Sequence, residues 1–324
     1  MKKIARLIFL SVLALSAAAM PDAKAQSDYP GKPVHIIIGF ASGAAADITA
    51  RLLGQGLGRI LGQQFIVEAK PGAGSTLAAE FVARAAPDGY TLFLASSANM
   101  TNEAINPNIS VLLAKDFAPI ALVNTGAVIL VVNPSTGVKT VKELIALAKA
   151  KPGQVNYAST GVGAAPHLAG ELFAQRAGVQ LVHVPYKGSP QAVTDLLSGQ
   201  TSMMFSPAST VVGQIAAGKL TALASAAAKR PSIAPDVPTM AEAGMPDFDT
   251  SIWFGLMAPA GTPRAIVDKL ARAVDEAMKA RNVQDTMGKT GFDRLAGGPD
   301  DFAKYLQSEA RKWGEIAKAA GLKK

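Results

Sequence analysis

The chain has 324 residues, no cysteine, and 32 Lys and Arg against 24 Asp and Glu, a formal charge of +8. The missing cysteines exclude disulfides, thiolate metal sites and a cysteine nucleophile. The basic residues are scattered, with no stripe interleaved with aromatics, which argues against a nucleic-acid surface; the length suffices for two lobes with separate cores.

Met1 to Arg6 is a basic start, Leu7 to Ala19 is apolar apart from Ser11 and Ser16, and Ala23-Lys24-Ala25 offers a small-residue cleavage site before Gln26. This pattern predicts a secretory signal over 1–25, the apolar run being shorter than the about 20 residues a membrane span needs. No cysteine stands at the cleavage site to carry a lipid. Removal would take away four positive charges and one negative, leaving +5. That modest excess would draw in anionic ligands.

Val34–Ile38 reads as a strand buried on both faces, residues 44–61 as a helix, Phe65–Val67 as a strand, Ser75–Ala85 as a helix and Tyr90–Ala95 as a strand. Such alternation predicts a parallel sheet with helical crossovers. The first strand-to-helix turn, Phe40-Ala41-Ser42-Gly43-Ala44 with Asp47 behind it, lies where open α/β sheets bind ligands. The Ser42 hydroxyl and the N–H groups of Gly43 and Ala44 are candidates to hold a carboxylate. The alternative is an ordinary turn with Asp47 and Arg51 as an i,i+4 pair. Pro71–Ser75 lacks the lysine of a phosphate loop and reads as a turn with Ser75 capping a helix. Ser96, Ser97 and Asn99 follow a strand and either line the same cleft or turn the chain.

Val128–Val132 leads into a second lobe, where Thr140 and Glu143 form a capping box. Strands are expected at 155–159, 181–184, 202–205 and 220–224, and helices at 166–176, 189–198 and 210–217. The turn Ser159-Thr160-Gly161-Val162-Gly163-Ala164 aims backbone donors and a helix start at whatever sits above it, a ready anion site without a basic side chain. Ser159, Thr160, Gly161, Ala164, Ala165 and His167 are its candidate contacts, joined by Tyr186, Phe205 and Ser206 at neighbouring strand ends. Residues 230–250 read as a surface connection. Residues 252–258 then return as a strand whose Trp253 and Phe254 are core or a stacking wall. Thr262-Pro263 opens a long helix with Pro at its first position, and a final amphipathic helix follows Pro299.

Neither Gly54–Gly58 nor Gly161–Pro166 completes G-x-G-x-x-G, and HxH, HExxH and G-x-S-x-G are absent, so no dinucleotide, metal or other cofactor is expected. His167 and Glu171 share a helical face, as a structural hydrogen bond or as a base.

Tyr29–Pro33, Lys70–Gly74, Pro87–Leu92, Lys115–Pro119, His167–Glu171, His183–Gly188, Pro238–Gly244 and Ala258–Pro263 together resemble the Bug-type (TctC-like) solute-binding proteins of the tripartite tricarboxylate transporter system, over essentially the whole mature chain. The resemblance implies an α/β type II periplasmic binding fold with mostly parallel sheets and a hinge, lobe I being 26–124 with 251–324 and lobe II 125–250. It implies a periplasmic receptor, not an enzyme, that holds a small-molecule carboxylate on the two turns, partly through water, and touches membrane transporter subunits transiently; a monomer is expected. Two departures from the family pattern stand out: Ala41-Ser42-Gly43-Ala44 in the first turn, and Ala164 in the second. With no Arg or Lys in either turn, they favour an aromatic mono- or dicarboxylate such as terephthalate over a dense tricarboxylate. The alternatives are an aliphatic di- or tricarboxylate ligand, presentation of ligand to a membrane sensor, and a secreted Ser/His hydrolase dependent on His167.

Overall fold

The computed structural model describes residues 29–162, 164–186 and 188–322, so the segment read as a signal peptide lies outside them, as does Gly163 of the second turn. Its first sheet has the order β11-β4-β10-β3-β1-β2 and its second β7-β6-β8-β5-β9. The first contains β1 (Val34–Ile38), β2 (Phe65–Ala69), β3 (Thr91–Ser96), β4 (Phe117–Gly126), β10 (Ile252–Pro259) and β11 (Phe292–Arg294). The second contains β5 (Val128–Val132), β6 (Asn156–Ser159), β7 (Val182–Pro185), β8 (Met203–Pro207) and β9 (Thr221–Ser225). Helices α1 (Ala45–Leu61), α2 (Thr76–Ala83) and α3 (Ser97–Ile105) follow β1, β2 and β3, and the short α4 (Leu113–Asp116) leads into β4. In the second lobe α5 (Val141–Ala150), α6 (Ala165–Ala177), α7 (Ser189–Leu197) and α8 (Ala208–Ala216) alternate with strands. The chain ends with α9 (Arg264–Lys279), α10 (Arg281–Lys289) and α11 (Pro299–Ala319). Among the described residues no helix is long and apolar enough to cross a membrane.

The βαβ units pair in parallel, β1 with β2 and β3, and β6 with β7 and β8. The sheets are nonetheless mixed rather than mostly parallel, because β10 runs antiparallel to both β3 and β4, and β5 antiparallel to both β8 and β9. The cause is the connection between lobes. Only Ala127 separates β4 from β5, so one nearly continuous strand serves both sheets, and β10 brings the chain back beside it.

Each lobe keeps a buried cluster of its own, and a third spans both. One buried cluster holds Ile37 and Phe93 of the first sheet, Leu130, Tyr157 and Phe205 of the second, and Phe302, Leu306 and Trp313 of α11. A buried carboxylate ties this junction: Glu309 accepts from Trp253 Nε1 at 2.8 Å and from Trp313 Nε1 at 2.9 Å, and pairs with Lys312. A buried charge needs such partners, or its desolvation would be uncompensated.

Three local expectations change. Residues 230–250 are not a mere surface connection, since Val237, Met240, Met245 and Phe248 are buried. The segment docks on β9 through Ser225 N–H to the Pro238 carbonyl and Met240 N–H to that of Ser225, and Phe248 stacks on Phe205. At α9 it is Pro263 that occupies the cap, while the Thr262 hydroxyl donates back to the Pro259 carbonyl. Ser75 precedes α2 but makes no side-chain cap. Of the Thr140–Glu143 box only the cap forms: Glu143 N–H donates to Thr140 Oγ1 at 3.1 Å, while the Glu143 carboxylate accepts from Lys139 N–H at 2.7 Å and not from Thr140.

Candidate functional site

Between the sheets lies a cleft of about 500 Å³ whose walls come from both lobes. Lobe I contributes Phe40, Ala44–Ala46, Gly74, Ser96–Ala98, Thr101 and Asn102, and the crossing strands contribute Val128, Ile252 and Phe254. Lobe II contributes Thr160, Val162, Ala164–Pro166, Ser189 and Pro207. A wider groove of about 800 Å³ follows the far end of α1 and strand β2, away from the turns at the strand ends.

Five helices begin at this cleft. Ala44, Ser96, Ala164 and Pro207 directly precede α1, α3, α6 and α8, and Ser189 opens α7. No side chain caps α1, α6, α7 or α8. The first intrahelical bonds are Ile48 N–H to the Ala44 carbonyl and Leu168 N–H to the Ala164 carbonyl, so the amides of Ala45, Ala46 and Ala165 have no helical acceptor. Each helix start carries roughly half a positive charge. Among the described residues, no wall residue is ionisable. The cleft is therefore electropositive through its backbone, with apolar walls.

This geometry moves the donors along the chain from where the sequence placed them. The amides of Gly43 and Ala44 are engaged within their own turn, donating to Asp47 Oδ2 at 2.9 Å and to the Ala41 carbonyl at 3.2 Å. Gly43 is left-handed, with φ +83°, which only glycine adopts freely, and Ala41, Ser42 and Gly43 face solvent outside the cleft wall. Asp47 is buried and holds the turn, its carboxyl lowered below the usual range by the Arg51 guanidinium. In the second turn Gly161 N–H donates to Ser159 Oγ at 3.1 Å and Ala164 N–H to the Gly161 carbonyl at 3.2 Å. Phe40, Ala44, Ser96, Ser97, Thr160, Ala164 and Ala165 do line the cleft.

The remaining expected residues support the site without lining it. Asn99 is buried and accepts from Ser96 N–H at 3.1 Å, closing the start of α3. Phe205 and Ser206, on opposite faces of β8, are both fully buried, Phe205 in the core, and neither lines the cleft. Tyr186 lines a separate hollow and donates its hydroxyl to Asp195 at 2.7 Å. Gly74, Asn102, Val128, Val162, Ile252 and Pro207 were missed. Their walls exist only once two lobes meet, so no local motif announces them.

Beneath the second turn sits a stack of rings. Tyr157, His183 and His167 lie face to face, the two imidazoles 4.0 Å apart. Ser159 Oγ is 2.5 Å from His183 Nε2 and donates to the Gly161 carbonyl at 3.1 Å, while the Tyr157 hydroxyl donates to Glu171 at 2.5 Å. Burial pushes His183 down to about 4, assisted by the neighbouring His167. Burial also lowers His167, opposed by Glu171. Ser159, fully buried, is thus the serine beside a histidine, and that histidine is His183, not His167. The arrangement braces the turn.

The sequence model for the tripartite tricarboxylate transporter family receptor matches residues 49–322. The chain is 34% identical over 318 residues to protein BugT of Bordetella pertussis, covering 98% of this chain and 96% of that one. Among solved structures it is similar to Rpa4515 of R. palustris, determined with adipate, at 31% identity and a TM-score of 0.78, covering 90% of this chain and 98% of that one. It is also similar to MatC of Rhodopseudomonas palustris, determined with malate, at 32% identity and a TM-score of 0.74, covering 89% and 99%. A chain with this two-lobe fold, this cleft and these relatives belongs to the tripartite tricarboxylate transporter receptor (TctC) family of periplasmic solute-binding proteins.

Proposed function

We propose that this receptor captures an organic dicarboxylate with an apolar body in the cleft, one carboxylate at the starts of α1 and α3 and the other at those of α6 and α7. One observation carries the reading: helix starts from both lobes face a single cleft whose walls, among the described residues, hold no ionised side chain. A carboxylate is the anion such amides suit, and the apolar walls suit carbon rather than further charge. The adipate and malate held by similar proteins support a carboxylate ligand. Phe40 and Phe254 in the walls favour a flat ring such as that of terephthalate, since aromatic faces stack. Contacts from both lobes exist together only when the cleft is closed, so ligand selects the closed state. The segment 1–25 serves as the export signal, and the closed form hands its ligand to membrane transporter subunits.

Calorimetry on the mature chain with terephthalate, adipate, malate and citrate tests the assignment. The expected order has terephthalate or adipate tightest and citrate weakest. Bound ligand raises the melting temperature as RT ln(1 + [L]/Kd) dictates. Tight citrate binding with no response to terephthalate or adipate would contradict the reading, and turnover of an ester that stops in His183→Gln would favour a hydrolase.

A further inference from the structure

Ser75 is the most anomalous polar residue near the cleft. Its side chain is fully buried, and its hydroxyl has no hydrogen-bond partner among the described residues. Buried hydroxyls are nearly always satisfied, so each exception calls for an explanation. Its backbone is also strained: Ala73, Gly74 and Ser75 follow one another at φ +46°, +61° and +78°. L-residues with side chains avoid this region, and strain of this kind collects at ligand sites. The usual reason for serine before a helix is absent, since Ser75 does not cap α2.

Ser75 follows the wall residue Gly74 in the chain, but does not itself line the cleft. A Cβ at Gly39 would lie 1.9 Å from Ser75 Oγ, so the chain omits a side chain at 39 and the hydroxyl packs against the end of β1. The adjoining residues Phe40 and Gly74 both line the cleft. Asn102, another wall residue, fixes the loop by donating Nδ2 to the carbonyls of Ala73 at 2.8 Å and Gly74 at 3.1 Å. For the unliganded protein alone, serine is a poor choice here. Glycine would relieve the strain, and alanine would leave no orphaned hydroxyl.

We propose that Ser75 is a specificity-determining residue of the cleft: a guest seated against Phe40 and Gly74 opens the wall locally, and the Ser75 hydroxyl, enclosed in the unliganded protein, then donates to one of its carboxylate oxygens. Carboxylate oxygens carry only lone pairs and accept such a donor, whereas the amide nitrogen of a neutral analogue does not. The inference rests on the carboxylate reading given above.

Ser75→Gly and Ser75→Ala test it, with adipate and terephthalate as probes and calorimetry as the readout. Glycine suits the backbone at 75, so Ser75→Gly folds and melts, without ligand, at or above the parent temperature. Both variants should bind the better probe about tenfold more weakly, about 1.4 kcal/mol, the size of one lost hydrogen bond to a charged oxygen. Parent binding with both variants unchanged would overturn the role of Ser75 and leave the carboxylate reading intact. A parent that binds neither probe would overturn both. Weaker binding together with a lower unliganded melting temperature in Ser75→Gly would mark the residue as structural, and would also overturn the proposal.

Discussion

At the scale of single residues, the cleft uses small side chains so that the main chain can act. Thr160 is the hydroxyl that the turn of lobe II presents to the cleft, and Thr160→Ala should weaken the ligand by about 0.5–1.5 kcal/mol, read by calorimetry. Ser42→Ala, in the exposed part of the first turn, should leave affinity unchanged. Glu103 gives a second residue-level expectation. Burial pushes its carboxyl up to about 7 although Leu113 N–H donates to it at 2.7 Å. Its folded form holds a proton that the unfolded chain releases near pH 4.5, so stability falls as pH rises from about 4.5 to 7. Glu103→Gln keeps the acceptor without the charge; it should raise the urea midpoint at pH 8 and change it little at pH 4.5. Residue-level reading of the sequence pointed to Phe40, Ala44 and Thr160, which do line the cleft, because turn chemistry is local. It failed for Gly43, whose amide is taken by Asp47, because an i,i+4 carboxylate can fold back on its own turn as easily as it can pair with Arg51.

At the scale of elements, periodicity located most strands and helices to within a residue or two. Val34–Ile38 and Val128–Val132 coincide with their strands, since apolar runs of that length between breakers have few other uses. The long strand Phe117–Gly126 and helix Ser97–Ile105 were not recognised. Pro119 interrupts the strand, and the helix begins with Ser97-Ala98-Asn99, residues that read equally well as a turn. The braced second turn predicts a pH dependence. With His183 held down to about 4, the unfolded chain takes up a proton near pH 6.5 that the folded chain refuses until about pH 4. The contribution of this site to stability therefore declines as pH falls from about 6.5 to 4 and levels below. Urea denaturation at pH 7.5 and 4.5 should show a smaller difference for His183→Gln than for the parent. An equal difference would place the proton uptake elsewhere. At the other end of the chain, Glu309→Ala orphans the indole N–H groups of Trp253 and Trp313 and should cost about 2–5 kcal/mol, measured by the same method.

At the scale of the whole molecule, the crossing strands and α11 decide how the halves cooperate. Helix α11 packs on β4 and α3 of lobe I and on α6 of lobe II, and the buried cluster runs through both. The two halves therefore share part of one core, an arrangement that local motifs could not reveal because it depends on contacts between elements far apart in the chain. The same topology brings amides of α1 and α6, distant in sequence, to one cleft. Their role is testable by deleting single donors. Ala45 and Ala165 are first helical residues, and Ala44 and Ala164 before them are extended, at φ −72° and −68°, so proline fits at both positions and removes only the N–H. Calorimetry of Ala45→Pro and Ala165→Pro against the parent, with the tightest carboxylate, measures this most directly. Each variant should melt near the parent temperature without ligand and lose about 1.5–3 kcal/mol of binding. Parental affinity in both would contradict the claim that opposed main-chain donors hold the ligand.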